Sequence, residues 1–176
     1  MEKSPCSDRR GFFCNLAAVG AILVPAVAGI VALLNPLRQK GAAGRFVRLT
    51  LLDALPDDGT PQRVAVVAER TDAWTKYPPE PVGAVFLRRT GDKVSALQVI
   101  CPHAGCSIDY AKTDEGGRFF CPCHAAQFNL EGKRTDANSF SPRDMDSLEV
   151  EVRDNNDVWV KYETFVTGTA KKIPQG

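Results

Sequence analysis

The chain has 176 residues, a formal net charge of +1 and 24% charged residues. That length suits about one domain with an appendage, and the balanced charge excludes the basic field that draws in a nucleic-acid backbone. The apolar residues are unevenly distributed, and the excess lies at the N-terminus.

Residues 12–34 read FFCNLAAVGAILVPAVAGIVALL, a run whose only ionisable side chain is the Cys14 thiol. A helix of that length crosses a hydrocarbon core of about 30 Å, so a transmembrane helix is predicted there. Pro25 removes one backbone donor and is expected to kink it. The AVA at Ala26 to Ala28 has the small residues of a signal cleavage site, but apolar sequence continues to Leu34 and an uncleaved anchor is expected. Residues 1–11 form a cytoplasmic segment containing DRRGFF, whose Arg9 and Arg10 resemble the twin-arginine signal that exports proteins already folded. The same pair also serves as a positive-inside anchor, and both readings leave the N-terminus in the cytoplasm. Arg38, Lys40 and Arg45 follow the span, so the orientation rests on the arginine pair and on the cysteines discussed below. Cys6 and Cys14 fall before or within the span and are expected to stay free thiols.

NPLRQKGAAGR, residues 35–45, reads as a flexible hinge linker closed off from the helix by Pro36. From residue 46 to 176, short runs rich in β-branched and aromatic residues alternate with turn chemistry: RFVRLTLL, RVAVVAER, VGAVFLRR, KVSALQVI and GRFFC. They predict an all-β, small antiparallel domain. SLEVEVRDNNDVWVKYE reads as a hairpin, because two alternating runs flank DNND, whose residues tolerate positive φ. TDAWTKYPPEPVG, Thr71 to Gly83, reads as a loop, since its three prolines remove ladder donors. Trp74 and Trp159 are expected to be core or edge aromatics. Phe119 and Phe120 are expected to lie on a strand packed beneath whatever Cys121 holds.

Two hexapeptides, CPHAGC from Cys101 and CPCHAA from Cys121, contain both histidines of the chain and four of its six cysteines. A tetrahedral Cys₂His₂ zinc site is chemically possible, but the order of ligands is not that of a zinc finger and two cysteines would lack a role. A framework of disulfides would use the cysteines and leave the histidines unexplained. A third explanation employs all six residues. The boxes resemble those of the Rieske iron-sulfur proteins, in which two cysteines hold one iron of a [2Fe-2S] cluster and two histidines the other. The resemblance implies Cys101 and Cys121 as thiolate ligands and His103 and His124 as imidazole ligands. It also implies that Cys106 and Cys123 form a disulfide stapling the ligand loops, within a cluster-binding region of about residues 99–142. Exposed histidines could then pass an electron together with a proton, and a disulfide persists in an oxidising compartment.

Rieske oxygenases and their ferredoxins generally lack the cysteine pair and the anchor. The whole arrangement is similar to the iron-sulfur subunit of the cytochrome bc family. This implies a single-pass protein of the bacterial cytoplasmic membrane with its cluster domain on the outer face. Its partners would be cytochrome b and a c-type cytochrome. In that family the histidine of the second box, His124 here, is the catalytic contact that accepts a hydrogen bond from quinol, and the tethered domain carries the electron to a c-type haem. Competing readings are the small Rieske subunit of arsenite oxidase and a stand-alone membrane-tethered carrier. Where the best-known members read CTHLGC and CPCHGSxYD, this chain has Pro102, Ala104, Ala125, Ala126, Phe128 and Asn129. The serine and tyrosine hydroxyls that bond to the cluster and to a cysteine ligand are both absent. A low to middling potential follows, better matched to menaquinol than to ubiquinol. SFSPRD with Pro142 occupies the place of the family's proline-rich cover loop, without its Gly-Pro. Asp109 and Tyr110 stand close enough to the first box to modulate it.

Overall fold

The computed structural model describes residues 6–35, 44–69, 71–72, 75–113, 116–154 and 156–175. Helix α1 spans Cys6–Leu34, with Pro25 inside it, and so begins ahead of the apolar run. Its stretch Gly11–Leu34 is long and apolar enough to cross a membrane, and none of its side chains is buried in the protein. A helix that is apolar all round suits an apolar environment from outside. The side chain of Cys14 is exposed along this helix. Most of the predicted hinge, and Trp74, lie outside the described residues.

The all-β expectation holds for the rest of the chain. Among the described residues, three larger antiparallel sheets and a small two-stranded one form it. The first joins β1 (Arg45–Leu51), β12 (Asp157–Tyr162) and β11 (Val150–Arg153) in the order β1-β12-β11. The second has the order β10-β6-β5-β2, from Ser147–Leu148, Lys93–Gln98, Glu80–Thr90 and Gln62–Ala68. The third, β7-β8-β9, comprises Asp109–Ala111, Arg118–Phe120 and Gln127–Phe128. Two short extended pieces, β3 (Thr71–Asp72) and β4 (Thr75–Lys76), and a 3-10 turn at Leu52–Ala54 complete the secondary structure.

The β5–β6 hairpin is a wall shared by two cores. Successive strand residues point to opposite faces, and β5 is buried on both at Val85, Phe86 and Leu87. Val85 and Leu87, with Ala96 of β6, join Val66, Val158, Val160 and Tyr162 in a core between the first and second sheets. Phe86 and its cross-strand partner Leu97 face the other way, into a core with Phe119, Phe128, Ile108 and both cysteines that open the boxes. A strand buried on both sides reads as a continuous apolar run, which is why AVFL shows no alternation. β12 behaves oppositely: Val158, Val160 and Tyr162 point in, while Trp159 lies on the outer face beneath the Arg153 guanidinium, 4.6 Å from its ring. Gly83 is required where it stands, because a Cβ there would collide with the hydroxyl end of the Tyr162 ring.

Two readings are corrected. The proline-rich loop ends early, since β5 begins at Glu80 and carries Pro81 opposite Val67. Proline is tolerated there because β6 pairs with β5 only from Val85 onward, leaving that stretch with one neighbour. The SLEVEV run is split between sheets: Ser147 and Leu148 pair with β6, and only Val150 onward forms the hairpin with β12. The turn of that hairpin places Asp154 at φ 51°.

Candidate metal centre

Both hexapeptides form tight loops of the same design at the edge of the third sheet. In the first, the Cys101 N–H donates to the Cys106 carbonyl at 2.8 Å and the Gly105 N–H to the Cys101 carbonyl at 3.0 Å. In the second, the Cys121 N–H donates to the Ala126 carbonyl at 2.8 Å. Each loop turns back through a left-handed residue four positions after its leading cysteine, Gly105 at φ 80° and Ala125 at φ 54°. Glycine adopts that conformation freely, whereas alanine holds it at a cost of about 1–2 kcal/mol.

The design sorts the side chains by depth. Cys101 and Cys121 are each 1% exposed and belong to the core with Phe119 and Phe128. Phe119 itself is fully buried and packs its ring, tilted, with its centroid 4.7 Å from that of Phe86 and 5.8 Å from that of Tyr110, so the expected strand beneath the site is present. Phe120 is half-buried. His103 is half-buried and His124 exposed, and their ring centroids lie 4.5 Å apart at 77°. A disulfide joins Cys106 to Cys123 across 17 positions of sequence and ties the two loops together. The sulfurs of Cys106, Cys121 and Cys123 lie within 4.8 Å of one another. Two of these are consumed by the disulfide and offer no thiolate, so the staple packs against Cys121 without forming a ligand trio with it.

Electrostatics at the thiols depends on metal. Burial pushes the Cys101 thiol up to about 11, helped by the neighbouring Cys121 and opposed by the backbone N–H groups of His103 and Ala104, which point at its sulfur. A bare pocket therefore favours the neutral Cys101 thiol, and a cation would hold it as the thiolate at neutral pH. The arrangement fits such a cation pair: a buried pair of soft sulfur donors and, nearer solvent, an adjacent pair of imidazoles.

The loop that begins with SFSPRD forms a third wall, and sequence reasoning missed the ion pair and the returning segment that hold it. Loop residues 139–146 and the segment after β12 close over the first box. Arg143 and Asp146, 9% and 5% exposed at their side chains, form a bidentate pair at 2.9 and 2.8 Å. The same guanidinium donates to the Thr169 carbonyl, while the Gly168 N–H donates to the Pro102 carbonyl at 2.8 Å. Ser141, fully buried, donates its hydroxyl to the Arg143 carbonyl at 2.7 Å. On this loop Phe140 stands 67% exposed, its ring 6.0 Å from His103 and 5.9 Å from His124. Only the spacing RDMD hinted at the ion pair. Of the remaining residues singled out, Asp109 faces Arg63 at 3.7 Å and the Tyr110 hydroxyl donates to the Gly116 carbonyl.

Two stapled loops that bury a cysteine pair and offer a histidine pair to solvent define a Rieske-type iron-sulfur centre. Residues 47–152 match the Rieske [2Fe-2S] domain family, and the chain belongs to it. It carries one Rieske-type [2Fe-2S] cluster. Among its relatives is the menaquinol:cytochrome c reductase iron-sulfur subunit of Bacillus subtilis, 29% identical over 123 residues that cover 69% of this chain and 70% of that one. The subunit of the same name in Geobacillus thermodenitrificans is 32% identical over 97 residues, 53% of this chain and 55% of that one. The chain thus spans only about half of that relative. The cytochrome b6-f complex iron-sulfur subunit of Microcystis aeruginosa is 29% identical and covers 69% and 68% of the two chains. Among solved structures, the plasma membrane Rieske protein PetC3 of Synechocystis superposes with a TM-score of 0.43 at 24% identity, covering 66% of this chain and 99% of that one.

Proposed function

We propose that this protein is the iron-sulfur subunit of a bacterial quinol:cytochrome c reductase. It takes electrons from menaquinol, works beside cytochrome b, and hands electrons to a c-type cytochrome. Cys101 and Cys121 hold one iron, and His103 and His124 the other. The bound cluster supplies a one-electron acceptor whose charge is reported at the imidazoles. The observation that carries the reading is the exposed His124 imidazole beside a disulfide-stapled pair of buried thiols, in a chain whose relatives are named as subunits of such complexes.

Each part of the chain has a place in this reading. His124, outermost of the four, accepts a hydrogen bond from the hydroquinone hydroxyl and its proton, while the thiols stay dry beneath. Residues 12–34 anchor the domain beside the bilayer in which the quinol dissolves, and residues 35–45 let it travel to its acceptor. The disulfide supports an oxidising compartment, and Arg9 with Arg10 a twin-arginine route to it, so that residues 46–176 stand on the outer face. Protons released there would contribute to translocation. None of the relatives named above is an arsenite oxidase subunit, and that alternative gains no support.

The test is anaerobic addition of menaquinol to native membranes, followed by EPR of the reduced centre and identification of the subunits that co-purify. A Rieske signal that develops with menaquinol, together with a co-purifying dihaem cytochrome b, is the expected result. A molybdenum subunit in its place, or a centre indifferent to quinol, would sink the reading.

A further inference from the structure

Phe140 is the most exposed large apolar side chain among the described residues of the β domain. A single exposed phenylalanine is unremarkable, but this one is placed. Its ring closes a triangle with the two imidazoles, at 4.5, 5.9 and 6.0 Å between centroids. It is also held: the Asn138 N–H donates to Asp136 at 2.8 Å, the Ser141 N–H to the Ser139 hydroxyl at 3.3 Å, and Arg134 to the Ser141 carbonyl at 3.1 Å. The loop that presents it is fixed below by the buried pair of Arg143 and Asp146.

Apart from the two histidines and the cysteine thiols, no ionisable side chain occurs in residues 101–107, 121–128 or 137–142, which make the tip. The charged groups that touch these segments, among them Arg63 at Ser107 and Arg118 at Gln127, come from outside them, and the side chain beside both imidazoles is the apolar Phe140. A planar apolar ring that hydrogen-bonds to the outer nitrogen of His124 comes to lie within contact distance of Phe140.

We infer that Phe140 is a substrate-contact residue, the aromatic wall against which the hydroquinone ring lies when its hydroxyl reaches His124. This rests on the quinol reading above. An aromatic pair adds enough to binding to change it about 3- to 10-fold. A contact made equally in the bound and reacting states appears in KM and not in kcat.

The test uses the intact complex with Phe140→Ala, Phe140→Leu and Phe140→Tyr. Because the side chain is exposed, all three variants should fold and load normally. Phe140→Ala and Phe140→Leu are expected to raise the KM for quinol about 3- to 10-fold, with kcat, the KM for cytochrome c and the midpoint potential unchanged. Phe140→Tyr should stay near the wild type. Quinone binding at equilibrium, read from the quinone-dependent change in the EPR spectrum of the reduced centre, should weaken by the same factor. An unchanged quinol KM in Phe140→Ala overturns the inference. So does a rise in the KM for cytochrome c instead, a shifted potential, or a leucine that serves as well as phenylalanine. A wild-type centre that no quinol reduces would fail the function itself, an outcome separate from a normal wild type indifferent to Phe140.

Discussion

Ala126 and Phe128 are 2% and 0% exposed in the core that holds Cys101 and Cys121, and neither carries a hydroxyl. Hydrogen bonds donated toward a cluster stabilise its reduced, more negative form and raise the potential. Restoring both donors by Ala126→Ser with Phe128→Tyr should therefore raise the midpoint potential within the Rieske span of about −150 to +300 mV, as redox-poised EPR would show. No rise, in a variant that keeps its cluster, would mean that the hydroxyls cannot reach it. A second prediction concerns Asp144. Its partial burial acts to raise its pKa, but the Arg134 N–H and the Lys133 ammonium outweigh this and hold the carboxyl below its ordinary 3.8. A depressed folded pKa stabilises above the unfolded value, and the effect is lost as pH falls through the folded one. Asp144→Asn should thus cost about 0.5–1 kcal/mol near pH 7. The difference from wild type should shrink below about pH 4 when unfolding is followed in denaturant. A difference that persists undiminished at pH 2.5 would show that the carboxylate charge is not its source.

Among the elements, the ligand loops were legible in the sequence, as were the strand beneath them and the place of a cover loop at SFSPRD, but the bonds that hold that loop were not. Metal chemistry restricts residue type, so cysteine and histidine at CxH and CxxH spacing stand out without any knowledge of the fold. The long strands were legible for a similar reason, because β-branched runs bounded by turn residues survive any tertiary context. Strands of two or three residues such as β7 and β9 have no period to read, and their pairing depends on the loops they support. Arg143 and Asp146 were missed because an exposed pair and a buried one look alike in sequence, and only the returning segment around Thr169 buries them. The cysteine pair was legible through resemblance alone, since spacing does not fix connectivity. Its removal by Cys106→Ser with Cys123→Ser should destabilise the domain by about 3 kcal/mol, the value for closing a loop of about this length. Denaturant midpoints and cluster content measured together would check it. Unchanged stability would mean that the third wall alone fixes the two loops.

Taken whole, the chain is a β domain with its own two cores and an apolar helix long enough to cross a membrane. A fragment starting at Gly44 is expected to be soluble and to show the same EPR spectrum as the full chain, because every residue of the site and both cores lie beyond that point. Loss of the signal from a soluble fragment would show that the missing segment matters to the centre and not only to its location. The backbone bond from Gly168 to Pro102 adds a constraint of timing. Ribosomes deliver the boxes well before the stretch that closes over the first of them, so the first box lacks this wall until residue 168 has been made. A cluster inserted before that moment meets a pocket open on the side of Pro102, and one inserted later meets a pocket whose wall is already in place.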